Sequence, residues 1–460
     1  MTVLLQPPGP KPTNIIRSVR EMRHGLLNKL QEAAAYGDIV AIPLAGRVIY
    51  FVNNPDYIKY VLVDNNQNYH KGRALKALRP IIGDGLLSSE DDFHKRQRRM
   101  IQPAFHRRRI ATYAEVMTAH TQAHIADWRD GDQRDLHHEL MMLTMGIVTQ
   151  CLFDVDVRGE ANGLGAALEG LFDNFSLMDL SPLGRLIGKL PLPRSQRRKE
   201  YSKILDDAIY GFIHERRSAG NIGLSQRDDL LSMLLESVDT EGDGEGMSDQ
   251  QARDEVMTLF LAGHETTANA LSWTLYLLSQ HPESAAKLYA ELDFVLGSRP
   301  PTMDDLPNLP YNRMIFSEAM RLYPPAWTIG RTAIAQDEIG GYVIPAGSTV
   351  LMSQYVMHRT EKYWDAPTEF RPERFDPVLM KDRPRYTYFP FGGGPRLCIG
   401  EPFAWMEGEL LLATIAQRYH FTLAQGAIIE PEPLITLRLK HGLPMVIHSR
   451  VSGTFPLGAK

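Results

Sequence analysis

The stretch from Asp249 to Gln280 does most to constrain the fold. It carries a helical pattern over roughly thirty residues, and a helix of that length spans about 45 Å, the width of a domain. Such an element must be surrounded by others, so a helix-dominated body is expected around it. The segment from about residue 90 to 300 is mostly helical in pattern, and helices are also predicted over residues 14–36, from Pro55 to Asp64, and from Glu401 to Tyr419. Strand signals gather near both ends of the chain. Alternation around Gly46 predicts a hairpin over residues 37–53, and strand-like runs return at 332–355, 435–439 and 444–448. Loops are expected at 179–194, 239–249 and 297–310, and coil at 366–397, where Pro and Gly are frequent. The expected class is mainly α with a smaller β portion (α+β).

Composition narrows the setting. Hydrophobic residues make up 43% and charged residues 23%, ordinary values for a soluble globular chain. A net charge of −5 gives no case for a nucleic-acid partner. The first residues lack the basic flank and long apolar stretch of a signal peptide, and no apolar run is long enough for a membrane span. Cys151 and Cys398 are the only cysteines, too few for a disulfide framework, so a reducing, cytoplasmic location is expected. A length prior of about 150 residues per domain suggests two or three domains, but no compositional break divides the chain.

The sharpest chemical feature is Phe391-Gly392-Gly393-Gly394-Pro395-Arg396-Leu397-Cys398-Ile399-Gly400. A lone cysteine beside glycines is more often an inert thiol. Here it follows a long coil and precedes a helix. Glycines let backbone N–H groups crowd around a sulfur where Cβ atoms would obstruct them. Those donors, with a helix N-terminus, stabilise a thiolate, and a thiolate can ligate haem iron. Phe391 is a candidate shield for the sulfur, and Arg396 a candidate partner for a haem propionate.

This segment resembles the cysteine-ligand signature of the cytochrome P-450 family, and three further segments match that family in order. Glu318-Ala319-Met320-Arg321 resembles its Glu-x-x-Arg element, with Arg374 in Phe370-Arg371-Pro372-Glu373-Arg374-Phe375 as the implied third member. The acid and base share a helix face at that spacing, and the implied role is structural. Ala262-Gly263-His264-Glu265-Thr266-Thr267 resembles the oxygen-activation stretch. There Ala262 and Gly263 are implied to admit the haem plane, while Glu265 and Thr266 form an acid–alcohol proton relay. In the basic run Phe93 to Arg99, His94 and Arg98 match the spacing of a propionate-binding pair, although relatives often carry Trp where His94 stands. Arg331 matches another propionate ligand. Cys398 is the implied axial ligand and Gly400 completes the motif.

The resemblance implies one domain over residues 1–460 with haem b, O2 as co-substrate, and electrons from NAD(P)H through separate proteins, a ferredoxin or flavodoxin with its reductase. Only 62 residues follow Cys398, too few for a fused reductase. Lys95, Arg96 and Arg99 are candidates for docking an acidic redox partner. A monomer is expected. Family layout places Leu87, Met178, Ala326, Trp327, Ile329 and Leu437 at the substrate pocket, which favours a hydrophobic small molecule: a fatty acid, alkane, terpene or steroid. Fatty-acid hydroxylation is the expectation, with Arg73 or Lys76 as candidate carboxylate anchors. The alternatives are a peroxide-driven haem-thiolate enzyme, which has no need of Glu265 and Thr266, and a haem-based gas sensor, for which no signalling module is apparent.

Overall fold

The computed structural model describes the chain apart from residues 1–5, 12–14, 45–46, 155–166, 168–169, 172–189, 191, 219–228, 243 and 451–460. Most of the 179–194 loop and Met178 therefore lie outside the described residues. The chain divides into two compact units of interleaved segments. One comprises Met1–Lys76, Ser317–Cys398 and Pro431–Arg438; the other comprises Ala77–Phe316, Ile399–Glu430 and Leu439–Lys460.

The first unit holds the main sheet. Its strands run in the order Ile39–Leu44, Arg47–Val52, Thr349–Met352, Ile329–Ala333 and Tyr69–Lys71. The first two form the predicted antiparallel hairpin, with Val40 opposite Phe51. The second and third are parallel, with Tyr50 opposite Val350, a pairing that needs a long crossover and cannot come from a local turn. One face packs Ile39, Val52, Ile58, Leu62, Val350, Met352 and Phe389; the other packs Phe51 with helix residues Leu27 and Leu30 and with Trp327 and Leu437.

The predicted helix from Pro55 to Asp64 changes character part-way. Pro55–Lys59 is α-helical, capped by Asn54 Oδ1, which accepts the N–H groups of Asp56 and Tyr57. Tyr60–Asp64 is a π-turn closed by Asn65 N–H donating to Tyr60 O at 2.8 Å. Tyr60 OH donates to Asp337 (2.9 Å), and Asn65 Nδ2 donates to the same carboxylate. These long-range bonds hold the wider turn, and a sequence window cannot show them.

The second unit is mainly helical. Asp249–Gln280 forms one helix of 32 residues, as its pattern predicts. A capping box starts it: Ser248 Oγ accepts the Gln251 N–H, and Gln251 Oε1 accepts the Ser248 N–H. Pro282 opens the next helix immediately after it. From Thr267 to Leu275 every residue is buried, and Trp273 has no exposed surface. An all-round buried helix is the centre of a bundle; Leu136–Phe153, Pro193–Ser218 and Glu401–Arg418 pack around it. The apolar core joins Met145, Val148, Ile209, Ile213, Leu231, Val256 and Phe260. A small sheet places Pro444–Ser449 between Gln133–Asp135 and Tyr419–Leu423. No described helix is long and apolar enough to cross a membrane.

Candidate functional site

In the first unit the residues from Phe389 to Cys398 form a tight loop whose glycines each have a distinct physical cause. Gly392 (φ +79°) and Gly394 (φ +67°) occupy the left-handed region that side chains disfavour. A Cβ on Gly394 would also overlap the Leu62 carbonyl oxygen in the π-turn, and one on Gly393 would fall 2.6 Å from the Tyr386 ring. Gly392 faces Ile329 Cδ1, so the loop lies against the strand that carries Arg331. The Cys398 N–H donates to Phe391 O at 3.1 Å, closing the loop. Cys398 is exposed, whereas Cys151 is buried and burial pushes its thiol pKa well up. Only Cys398 is therefore accessible for thiolate chemistry.

Behind the loop lies a buried ion cluster. Glu318 and Arg321 have no exposed surface and form a two-bond pair at 2.7 and 2.8 Å. Arg374 Nε approaches Glu318 Oε1 to 3.3 Å, and the Arg371 N–H donates to the same oxygen at 2.9 Å. Arg321 also donates to the carbonyls of His358 (2.7 Å), Pro367 (2.7 Å) and Glu369 (3.0 Å), while its guanidinium lies 4.9 Å from the Trp364 ring. The cluster thus fastens the coil 358–374. A planar five-donor guanidinium can serve a carboxylate and three carbonyls together; a lysine cannot.

In the second unit the middle of the long helix is polar. Thr266 Oγ1 donates to Ala262 O at 2.7 Å, Thr267 Oγ1 to Gly263 O at 3.4 Å, and Thr144 Oγ1 from a neighbouring helix to His264 O at 3.0 Å. Three successive carbonyls are thereby engaged by hydroxyls, which weakens a helix locally. Glu265 is 6% exposed, a position a carboxylate does not occupy without compensating interactions. Ala262 is exposed, and a Cβ on Gly263 would meet Val148 Cγ2 at 3.0 Å. Gly263 thus has a helix-packing reason beside the one the sequence suggests. His264 is buried, which pulls its pKa down to about 4 and keeps the ring neutral. Thr267 also faces Glu407, a fully buried carboxyl on Glu401–Arg418 that desolvation pushes up to about 8. Sequence reasoning missed Glu407; its one signal is an acid just before the apolar run Leu410 to Ala413.

His94 is 4% exposed and Arg98 half-buried, both on Asp91–Ile101. Two of the basic neighbours expected to dock a redox partner are otherwise committed. Arg99 makes a two-pronged pair with Asp239, and Arg96 donates to the carbonyls of Glu245 and Gly246. They hold the loop predicted at 239–249, while Lys95, at 68% side-chain exposure, pairs with the exposed Asp92 at 2.9 Å. The loop carrying Leu87 is similarly held. The N–H groups of Asp84 and Leu86 donate to Asp254 and Glu255 in the long helix, each at 2.8 Å.

With this geometry in place, the relatives identify the chain. The family profile described as Cytochrome P-450 matches residues 7–443. Cyclooctatin synthase of Streptomyces melanosporofaciens is 39% identical over 417 residues, covering 89% of this chain and 89% of the relative. Pentalenene oxygenase of Streptomyces avermitilis is 33% identical over 449 residues, 97% of each. A crystal structure of the haem domain of cytochrome P-450DA superposes with a TM-score of 0.87 at 25% identity, covering 98% of this chain and 99% of that one. The chain belongs to the cytochrome P-450 family. It is a monooxygenase of that family.

Members of this family use haem, O2 and electrons that reach them from NAD(P)H through partner proteins. The residues of this P-450 fit that cofactor. Among the described residues there is no group of three or more His, Cys, Asp or Glu side chains able to hold a bare metal ion. What the chain offers is one accessible thiol in a glycine loop, the arrangement suited to iron that brings its own macrocycle. Arg331 (5% exposed) and Arg396 (half-buried) stand in the same unit as that thiol, and Gly400 caps the helix Glu401–Arg418.

The residues expected at the substrate pocket have unlike surroundings. Leu87 and Ile329 are half-buried and Ala326 is exposed. Trp327 and Leu437 lie inside an apolar cluster, and the Trp327 indole donates to Leu434 O at 3.1 Å. Of the candidate carboxylate anchors, Arg73 gives an N–H to the Gly347 carbonyl at 3.1 Å.

Proposed function

We propose that this P-450 hydroxylates a neutral, cyclic hydrocarbon-like molecule of the terpene kind, with Cys398 as the residue that would bind its haem iron. The observation that carries the ligand assignment is the accessible Cys398 thiol in a loop closed by its own N–H. The substrate class is favoured by the relatives named pentalenene oxygenase and cyclooctat-9-en-7-ol 5-monooxygenase, the latter 35% identical over 404 residues. A fatty acid is the competing substrate class; of its two candidate carboxylate anchors, Arg73 also donates to the Gly347 carbonyl.

When bound, the haem supplies the centre at which dioxygen is reduced and one oxygen atom passes to substrate. The chain's residues do the rest. Arg331 and Arg396, with His94 and Arg98, are the residues that would hold the propionates. Phe391 shields the sulfur from water. Ala262 leaves an open surface on the long helix. Thr266 Oγ1, which donates to Ala262 O, would hold the proton that oxygen reduction consumes, and Glu265 would resupply it. Leu87, Ala326 and Ile329, which are half-buried or exposed, would offer apolar surface to substrate, whereas Trp327 and Leu437 are packed in the core. Residues 1–460 act as a single domain, since the chain passes repeatedly between its two units. A ferredoxin or flavodoxin with its reductase delivers the electrons to a monomer.

The test is the absorbance of the reduced, carbon-monoxide-treated protein, wild type beside Cys398→Ser. A strongly red-shifted Soret band lost in the variant is expected; an unchanged band in the variant would refute the ligand assignment. Titration with pentalenene and with a long-chain fatty acid then separates the substrate classes. Only the cyclic compound should shift the Soret band.

A further inference from the structure

His358 has no exposed surface and no role in the reading above. Its backbone carbonyl accepts from Arg321 Nη1 (2.7 Å), so it stands at the edge of the buried ion cluster. Its ring nitrogen Nε2 accepts the backbone N–H of Phe389 at 3.0 Å. The Phe389 carbonyl in turn accepts the Gly392 N–H at 2.9 Å, and Phe391 O accepts the Cys398 N–H. The ring is clamped between Tyr388 (centroids 5.0 Å apart) and Phe389 (5.5 Å, edge-on). Hydrogen bonds joined by short stretches of backbone therefore link Glu318 and Arg321, by way of His358, to the cysteine loop.

We infer that His358 is a positioning residue: it carries the rigidity of the Glu318–Arg321 cluster to the first residue of the Cys398 loop through the Phe389 amide. This deepens the thiolate reading and rests on it. A backbone N–H can donate to Nε2 only if that nitrogen carries no proton, so the ring must be neutral with its proton on Nδ1. Burial drives the His358 pKa well below the usual histidine range, with the charges of Arg321 and Arg359 adding to the effect. The acceptor role therefore persists across ordinary pH. A buried amide held by one acceptor loses protection when that acceptor is deleted, by about tenfold for a typical hydrogen bond.

The test compares His358→Phe, which keeps a buried ring and removes the acceptor, with His358→Gln, whose amide oxygen reaches about as far as Nε2. Both are prepared as holoenzyme. Hydrogen exchange of the Phe389 amide is measured beside the Soret band of the reduced carbon-monoxide complex. In His358→Phe the expected result is about tenfold faster exchange at Phe389, with part of the red-shifted band lost. His358→Gln should restore both. Wild-type protection and an unchanged band in His358→Phe would overturn the inference, as would equal loss in both variants, since ring shape rather than the acceptor would then matter. If His358→Phe does not fold, His358→Gln decides alone: kept protection supports the relay and lost protection refutes it. A wild type without the red-shifted band would instead sink the thiolate reading, whatever the amide does.

Discussion

Replacing Arg321 by Met should be the most damaging single change in the cysteine-bearing unit, although Arg321 is remote in sequence from Cys398. Met keeps much of the side-chain volume, so the loss is electrostatic. The His358 carbonyl bond is fully buried, and stranding that oxygen costs about 2 kcal/mol. The Pro367 and Glu369 carbonyls are part-buried and lose about 1 kcal/mol each, because water can replace some of the bond. Glu318 is left with Arg374 and the Arg371 N–H but without its closest partner, for about 2 kcal/mol more. The sum is roughly 6 kcal/mol, a large part of the total stability of an ordinary protein. Glu318→Gln is the sharper comparison. It retains an acceptor for the Arg371 N–H, and Arg321 keeps its three carbonyls, so the cost should be about 3 kcal/mol. The asymmetry between the two is the real content: the arginine fastens backbone, while the carboxylate mainly neutralises it. Urea midpoints followed by circular dichroism, with unfolding rates where refolding fails, give the comparison. An Arg321→Met variant within about 1 kcal/mol of wild type, or one milder than Glu318→Gln, would refute this reasoning.

Two further expectations concern the long helix. Burial raises Glu255 to about 8, and Asp254 and Asp84 add to the shift while the Leu86 N–H opposes it. A folded-state pKa above the unfolded value means full stability below about 4.5 and progressive loss as pH rises toward about 8. Glu255→Gln should remove that loss, so its stability relative to wild type should improve by on the order of 3 kcal/mol between pH 5 and pH 8.5; parallel pH–stability curves would show that Glu255 does not titrate in this window. Thr266→Ala removes the hydroxyl bonded to Ala262 O and should cut product formed per NAD(P)H consumed by about tenfold while reductant use continues. Measured with a surrogate ferredoxin system, undiminished coupling would dismiss Thr266 from the proton relay.

Local pattern was a good guide wherever local physics decides structure. The long helix, the hairpin and the coil at 366–397 follow from periodicity and from Gly and Pro placement; the glycines before Cys398 predict close backbone approach, and the structure adds positive φ at 392 and 394. The pairing of Glu318 with Arg321 is legible because three residues bring them onto one helix face. Arg374 could be named only by family resemblance, since nothing local links it to Glu318. Arg96 and Arg99 read as candidates for docking a partner protein, yet they bond to the loop 239–246, far along the chain.

Sequence by itself therefore determined the class of fold, the segment that holds the thiol, and the polar interruption at Glu265 and Thr266, because helical periodicity, glycine conformation and i,i+4 hydroxyl bonding act over a few residues. Tertiary structure alone decided what the buried groups do. Whether Trp327 faces substrate or core, why Tyr60 begins a π-turn, how high Glu255 and Glu407 titrate, and which amide His358 receives all depend on neighbours tens to hundreds of residues away. Desolvation and hydrogen bonding are set by those neighbours, so no local window of sequence contains them.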